Sequence, residues 1–194
     1  MYIRPAFEVK DLAKILGLIQ AHPFGVLITE NPLMVSHIPF IADQDGETVT
    51  VHAHLGAANP QCAALDGGTA VAVFTGPHAY ISPSWYKTQP SVPTWDYAAV
   101  YIHGSIEPIA ENGPLLDALA EHDPAGFRVD QMPEDYRTAM YRGIRSFKIR
   151  GTRIEAQWKM SQNRSHEDRT RVAAALRAQG ETAVAELVAE TLMK

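Results

Sequence analysis

The chain has 194 residues, 46% hydrophobic and 20% charged, with a net charge of −5. These values describe a globular chain long enough for one domain and a sizeable core, and they exclude a disordered one. The negative field repels nucleic acid, the single Cys62 allows no internal disulfide and suits a reducing compartment, and no apolar run reaches the length of a membrane span.

In chain order, Leu12, Ile15, Leu16 and Ile19 share one helical face over residues 11 to 20, and His22-Pro23 ends that helix. Phe24 to Thr29 and Leu33 to Ile41 read as strands joined by a turn at Glu30-Asn31-Pro32. Asp45-Gly46 is a second hairpin turn, followed by a strand over Glu47 to His54. Asn59 is placed as the cap of a short helix with Pro60 in its first position, running to Leu65. Thr69 to Thr75 and Tyr97 to Ile109 read as strands, the second with Gly104 as a bulge or bend. Helices are expected over 114 to 122 and 133 to 142. Two further strands follow, Ile144 to Ile149 and Arg153 to Lys159. Ser165 to Asp168 resembles a capping box, opening a helical tail that breaks at Gly180. Hairpins with inserted and appended helices, without βαβ alternation, imply an antiparallel barrel with peripheral helices. One domain over 1–194 is expected, with a helical C-terminal extension from about residue 165. Met1-Tyr2-Ile3-Arg4-Pro5 opens no secretory signal, so the expected location is the cytoplasm.

The three tryptophans sit in polar, proline-punctuated stretches: Ser82-Pro83-Ser84-Trp85-Tyr86, Val92-Pro93-Thr94-Trp95, and Trp158-Lys159-Met160-Ser161-Gln162-Asn163-Arg164. Large apolar faces interleaved with donors and acceptors suit a flat, partly polar ligand. The stretch His54 to Pro60 runs from a strand end into a capped helix start, which would offer backbone N–H groups to a phosphate, with Ser36 and His37 adding donors. No Lys or Arg lies between Lys14 and Lys87, whereas Arg137 to Arg177 is densely basic. A cation for such an anion must therefore come from the C-terminal third or from a second subunit.

Other chemistries find less support. His52 and His54 share a strand face and, with His37 or His103, would make a metal site, but no acidic ligand is close in sequence and Cys62 has no partner spacing. No Gly-x-Ser-x-Gly elbow surrounds a serine, and no Gly-x-Gly-x-x-Gly or P-loop is present. Only the basic stretch argues for DNA as a partner, and there is no helix-turn-helix signature.

Several blocks together carry a family resemblance. They are His22-Pro23-Phe24, Ser36-His37-Ile38-Pro39, His54 with Ala58-Asn59-Pro60, Gly76 through Tyr86, Val92-Pro93-Thr94-Trp95 with Tyr97, His103-Gly104, and Lys159 through Arg164. In these the chain resembles the FMN-binding negative transcriptional regulators of the PaiB type. The resemblance implies an antiparallel split β-barrel, mainly β with peripheral helices, a homodimer with FMN at its interface, and a role in repressing sporulation and protease genes. It places the flavin ring near Trp95 and the phosphate near Ser36, His37, His54 and Asn59. Thr94, Lys159, Ser161 and Gln162 are expected to add polar contacts. Two positions depart from the family pattern: Gly56-Ala57-Ala58 lacks its usual cation, and Cys62 replaces an aromatic. Lys159 or Arg164 is the expected substitute for that cation. The alternatives are a small FMN-dependent oxidoreductase and a metal-binding β-barrel protein.

Overall fold

The computed structural model describes residues 1–31 and 33–193. Its seven strands are β1 (Phe24–Thr29), β2 (Met34–Pro39), β3 (Ile41–Asp45), β4 (Thr48–Gly56), β5 (Thr69–Ile81), β6 (Thr94–Ile109) and β7 (Ile144–Lys159). They form one antiparallel sheet in the order β2-β1-β5-β6-β7-β4-β3. Five α-helices occur among the described residues: α1 (Leu12–Ala21), α2 (Gly113–Ala120), α3 (Glu134–Arg142), α4 (His166–Ala178) and α5 (Thr182–Glu190). The chain divides into two compact units. A hairpin unit comprises Leu12–Phe74 and Tyr101–Ile154; a tail unit comprises Met1–Asp11, Thr75–Val100 and Glu155–Lys194.

In the hairpin unit, β1 pairs with β2 in the register Val26↔His37 and Ile28↔Val35, and β1 pairs with β5 through Val26↔Val73. Of the turn expected between β1 and β2, Pro32 lies outside the described residues. The β3–β4 hairpin turns at Gly46, whose φ of 63° suits glycine. Period-2 alternation drives Val49, Val51, Ala53 and Leu55 of β4 into a core with Phe147 and Ile149 of β7. In the tail unit, Val172, Ala173 and Leu176 of α4 are buried, as are Val184, Ala185 and Val188 of α5. Gly180, at φ 83°, ends α4 and lets the chain double back, as the sequence suggests.

Beyond shifts of one to three residues at element ends, such as β6 beginning at Thr94 rather than Tyr97, three boundaries differ from the sequence reading. The strand expected over Leu33 to Ile41 divides at Phe40, which turns inward, is 1% exposed, and meets the Phe74 ring edge-on at 5.2 Å. The strand expected to stop at Thr75 continues to Ile81 through Gly76-Pro77, because the alternation resumes with Ala79 and Ile81 buried. Ile144 to Ile149 and Arg153 to Lys159 are one strand, β7. Gly151, which suggests a break, instead admits a neighbouring backbone: a Cβ there would lie 2.7 Å from Val49 O. Gly104 serves the same purpose inside an unbroken β6, where a Cβ would lie 2.1 Å from Arg150 O.

Candidate functional site

The hairpin unit brings Ser36 and Asn59 together around a residue absent from the sequence reading. Gln61 is fully buried in the short 3-10 turn Pro60–Ala64. Its Oε1 accepts from Ser36 Oγ at 2.6 Å, and its Nε2 donates to Thr29 Oγ1 and Met34 O, both at 3.2 Å. Asn59 Nδ2 reaches Ser36 Oγ at 3.5 Å. Nothing in a single sequence marks Gln61, since its burial follows from how the turn lies against β2.

The same turn corrects one expectation. Four of the amides anticipated as a phosphate cradle are occupied within the protein. Gln61 N donates to Asn59 Oδ1, Cys62 N to Asn59 O, Asn59 N to Gly56 O, and Ala57 N to Gly143 O. Pro60 has no N–H to give. The segment is a braced turn, and an anion beside it depends on side chains.

Ser36 and His37 are consecutive on β2 and therefore face opposite ways. His37 is exposed, with its ring 6.1 Å from that of Phe24. His54 lies across β4–β7 from Ser146. His54 Nδ1 and Ser146 Oγ are both buried without a hydrogen-bond partner. Desolvation by burial holds the His54 imidazole below its ordinary pKa, so the ring is neutral near pH 7. His52 is held by Asp43 at 2.8 Å, an acidic neighbour that the hairpin supplies. Among the described residues no group of three or more His, Cys, Asp or Glu is arranged to hold a metal ion.

The tail unit gathers Thr94, Trp95, Lys159, Ser161 and Gln162. Their organiser is Asp96, which has no exposed surface. Asp96 Oδ2 accepts from Ser161 Oγ at 2.6 Å and Oδ1 from Lys159 Nζ at 3.5 Å. Lys159 Nζ also donates to Thr94 Oγ1 at 2.6 Å and to Trp95 O. An ammonium has three N–H donors, and these three acceptors account for them. Desolvation pushes the Asp96 pKa above the ordinary carboxylate value, although Ser161 and Lys159 pull the other way. Asp96 was legible in principle. The apolar inner positions Ala98, Val100 and Ile102 of β6 extrapolate by twos to residue 96.

Gln162 turns back on its own segment, accepting from Met160 N and donating to Trp158 O, each at 2.6 Å. Together with Ser161 it braces a turn in which Ser161 adopts φ 57°, the left-handed region. What the cluster leaves open is the Thr94 hydroxyl hydrogen and the Trp95 indole. Trp95 is 54% exposed, flanked by the rings of His78 and Tyr80 at 6.2 Å each. The other two tryptophans have structural surroundings. Trp158 is buried, and Trp85 O accepts from Arg171 Nε at 2.8 Å. Nearby, the buried Asp168 accepts from the Lys87 and Thr88 amides at 2.7 and 3.3 Å. Burial pulls its pKa upward, but these bonds and that of Ser165 outweigh it and hold the carboxyl below its ordinary range. Arg164 stacks 4.2 Å over the Tyr86 ring.

The fold is an antiparallel split β-barrel of the kind found in flavin-binding proteins. It is similar to the FAD- and heme-binding protein of Mycobacterium smegmatis (TM-score 0.60, 13% identity, 78% of this chain and 73% of that one). It is also similar to the flavocytochrome Anf3 of Azotobacter vinelandii (TM-score 0.61, 12% identity, 81% and 72%). The chain belongs to the family described as "Putative FMN-binding domain", which matches residues 1–153. Among its relatives is the protease synthase and sporulation protein PAI 2 of Bacillus subtilis, 31% identical over 177 residues, covering 87% of this chain and 85% of that one. The uncharacterised yeast protein YKL070W is 37% identical over 170 residues, covering 70% of this chain and 100% of its own. FMN is the cofactor of this family. The residues present fit it within each unit taken by itself: in the tail unit an open indole between two further rings suits the isoalloxazine, and in the hairpin unit His54 Nδ1 and Ser146 Oγ are buried polar atoms without a hydrogen-bond partner.

Proposed function

We propose that this protein is an FMN-binding negative regulator that works in the cytoplasm as a homodimer, with the cofactor held at the subunit interface. The observation that carries the FMN part is the half-exposed Trp95 ring between His78 and Tyr80, with the Thr94 hydroxyl beside it. Trp95 and Thr94 would contact the ring system. Lys159, Ser161 and Gln162 would act chiefly by fixing the backbone that presents them. Ser36, His54 and Asn59 would lie towards the phosphate, with neutral His54 contributing a hydrogen bond rather than a charge, whereas His37 faces the other side of β2. FMN, when bound, supplies a flat ring whose charge changes with its redox state.

The regulatory part rests on the similarity to PAI 2, whose name ties that protein to protease synthesis and sporulation. The dimer is supported by an apolar face of the hairpin unit. Val26 and Ile28 of β1 stand beside Val73 and Val71 of β5, Val35 of β2 is 58% exposed, and Phe24 is 67% exposed. Such a face is the kind that a second copy covers. No helix among the described residues is long and apolar enough to cross a membrane. The reading as a single domain with a helical extension from about residue 165 is supported by β5, β6 and β7, which each belong to both units and to one sheet.

The test is a flavin titration of the purified protein, followed by absorbance and fluorescence. Uptake of FMN is expected, with Trp95→Ala weakening it at least tenfold while leaving stability within about 1 kcal/mol. Failure to bind FMN would refute the reading. Rapid NAD(P)H oxidation on adding FMN would move it to the oxidoreductase alternative. Specific, salt-dependent retardation of a DNA fragment would establish direct regulation.

A further inference from the structure

We infer that Arg145 is the cation that receives the phosphate monoester of the flavin at the Ala57–Cys62 turn. This rests on the FMN reading above. The turn contains no Lys or Arg, and none lies anywhere between Lys14 and Lys87. The amides of Ala57, Asn59, Gln61 and Cys62 are already engaged and Pro60 has none, so backbone dipoles alone do not satisfy a dianion there. Lys159, the cation expected from sequence, has its three donors on Thr94, Trp95 and Asp96.

The register of the sheet supplies the alternative. Arg145 stands opposite Leu55 at the end of the β4–β7 pair, and Ile144 opposite Gly56. Ala57 N is bonded to Gly143 O at 2.8 Å, so the start of β7 is locked to the turn that follows β4. From this position the Arg145 side chain reaches across to Asp66, just beyond the 3-10 turn, where Nη2 meets Oδ1 at 3.3 Å. Its charge is consequently felt at Cys62. Burial raises the Cys62 thiol pKa, and Arg145 pulls it back down. The single long contact to Asp66, between side chains 46% and 69% exposed, engages one of the five guanidinium donors. The remaining donors of the fork suit two phosphate oxygens, a bidentate match that an ammonium does not offer, with Asp66 as the competing carboxylate. Asn59 at the same turn adds a neutral donor, since Nδ2 directs one hydrogen to Ser36 Oγ and carries a second, whereas the Ser36 hydroxyl hydrogen is spent on Gln61.

The test compares FMN with riboflavin, which shares the ring and ribityl chain but lacks the phosphate. In the full-length protein both are titrated by flavin fluorescence. Wild type is expected to prefer FMN. Arg145→Ala should lower FMN affinity about tenfold or more with riboflavin affinity unchanged, and Arg145→Lys should recover only part of the loss. Asp66→Asn keeps the fold intact without the competing carboxylate, and should tighten FMN several-fold while leaving riboflavin alone. Equal loss of both flavins in Arg145→Ala, or an unchanged FMN affinity, overturns the assignment while leaving the FMN reading standing. A wild-type protein that binds neither flavin overturns the FMN reading itself, and the assignment with it.

Discussion

Asp96 is the most informative residue to perturb, because its environment sets two effects against each other. It is a carboxylate with no exposed surface, bonded to Ser161 Oγ at 2.6 Å and reached by Lys159 at 3.5 Å. Asp96→Ala removes both acceptors. The buried Ser161 hydroxyl then lacks a partner, at about 1–3 kcal/mol, while Lys159 keeps Thr94, Trp95 O and some solvent, so its share is at most about 1 kcal/mol. The expected loss is about 1–4 kcal/mol. At roughly 2–4 °C per kcal/mol for a chain of this size, the melting temperature falls by about 2–16 °C. Asp96→Asn keeps an acceptor for Ser161 and loses less.

The pH dependence decides which effect dominates at Asp96. Desolvation raises its pKa in the folded protein above the ordinary value of 3.8. The folded state therefore holds this proton more tightly than the unfolded state. The resulting stabilisation is fully present below 3.8 and is lost as pH climbs through the raised value. In urea titrations between pH 4 and pH 7, the stability difference between wild type and Asp96→Asn should accordingly shrink as pH rises. A difference that grows with pH would show that Lys159 and Ser161 outweigh burial, and would refute the reasoning.

Other outcomes follow from single positions. Ser161→Gly relieves the φ of 57° while losing the bond to Asp96, whereas Ser161→Ala loses the bond and keeps the strain. Alanine should therefore melt lower than glycine by about 1 kcal/mol, measured by thermal unfolding. Gly104→Ala would drive a Cβ to 2.1 Å from Arg150 O and should cost about 3 kcal/mol or more in chemical denaturation. Gly56→Ala, with nothing within 4 Å, should change little in the same assay. His54 has a pKa below its ordinary 6.5, so the stabilisation linked to its neutral form is present above 6.5 and is lost as pH falls through the lowered value. His54→Asn should flatten the stability profile between pH 7 and pH 5.

The strands and helices were largely legible because most of them alternate or repeat cleanly. The β3–β4 hairpin announced itself through Asp45-Gly46, and the break between α4 and α5 through Gly180. One error has a plain cause. Gly151 looks like punctuation in a sequence, yet here it is a place where strands approach closely, and only the partner strand shows that. The candidate residues Thr94, Trp95, Lys159, Ser161 and Gln162 stand out in the sequence as polar groups set among large aromatics. Their mutual hydrogen bonding was invisible, because it depends on Asp96, a residue that looks like an ordinary surface charge until its phase on β6 is counted. Arg145 was equally hidden, since its place beside the Ala57–Cys62 turn follows from the register between β4 and β7.

The composition of the tail unit bears on how the molecule is made. Its pieces are residues 1–11, 75–100 and 155–194. Its ties, such as Glu8 bridged to Gln157 and the Lys87 amide capped by Asp168, join residues separated by most of the chain or nearly half of it. The hairpin unit draws on residues up to 154 and can consolidate while α4 is still being synthesised. The tail unit has to wait for α4, which follows the family-matched stretch ending at residue 153. The loop around Trp85 and the Thr94–Trp95 surface therefore remain unbraced until α4 has emerged to supply Asp168 and Arg171.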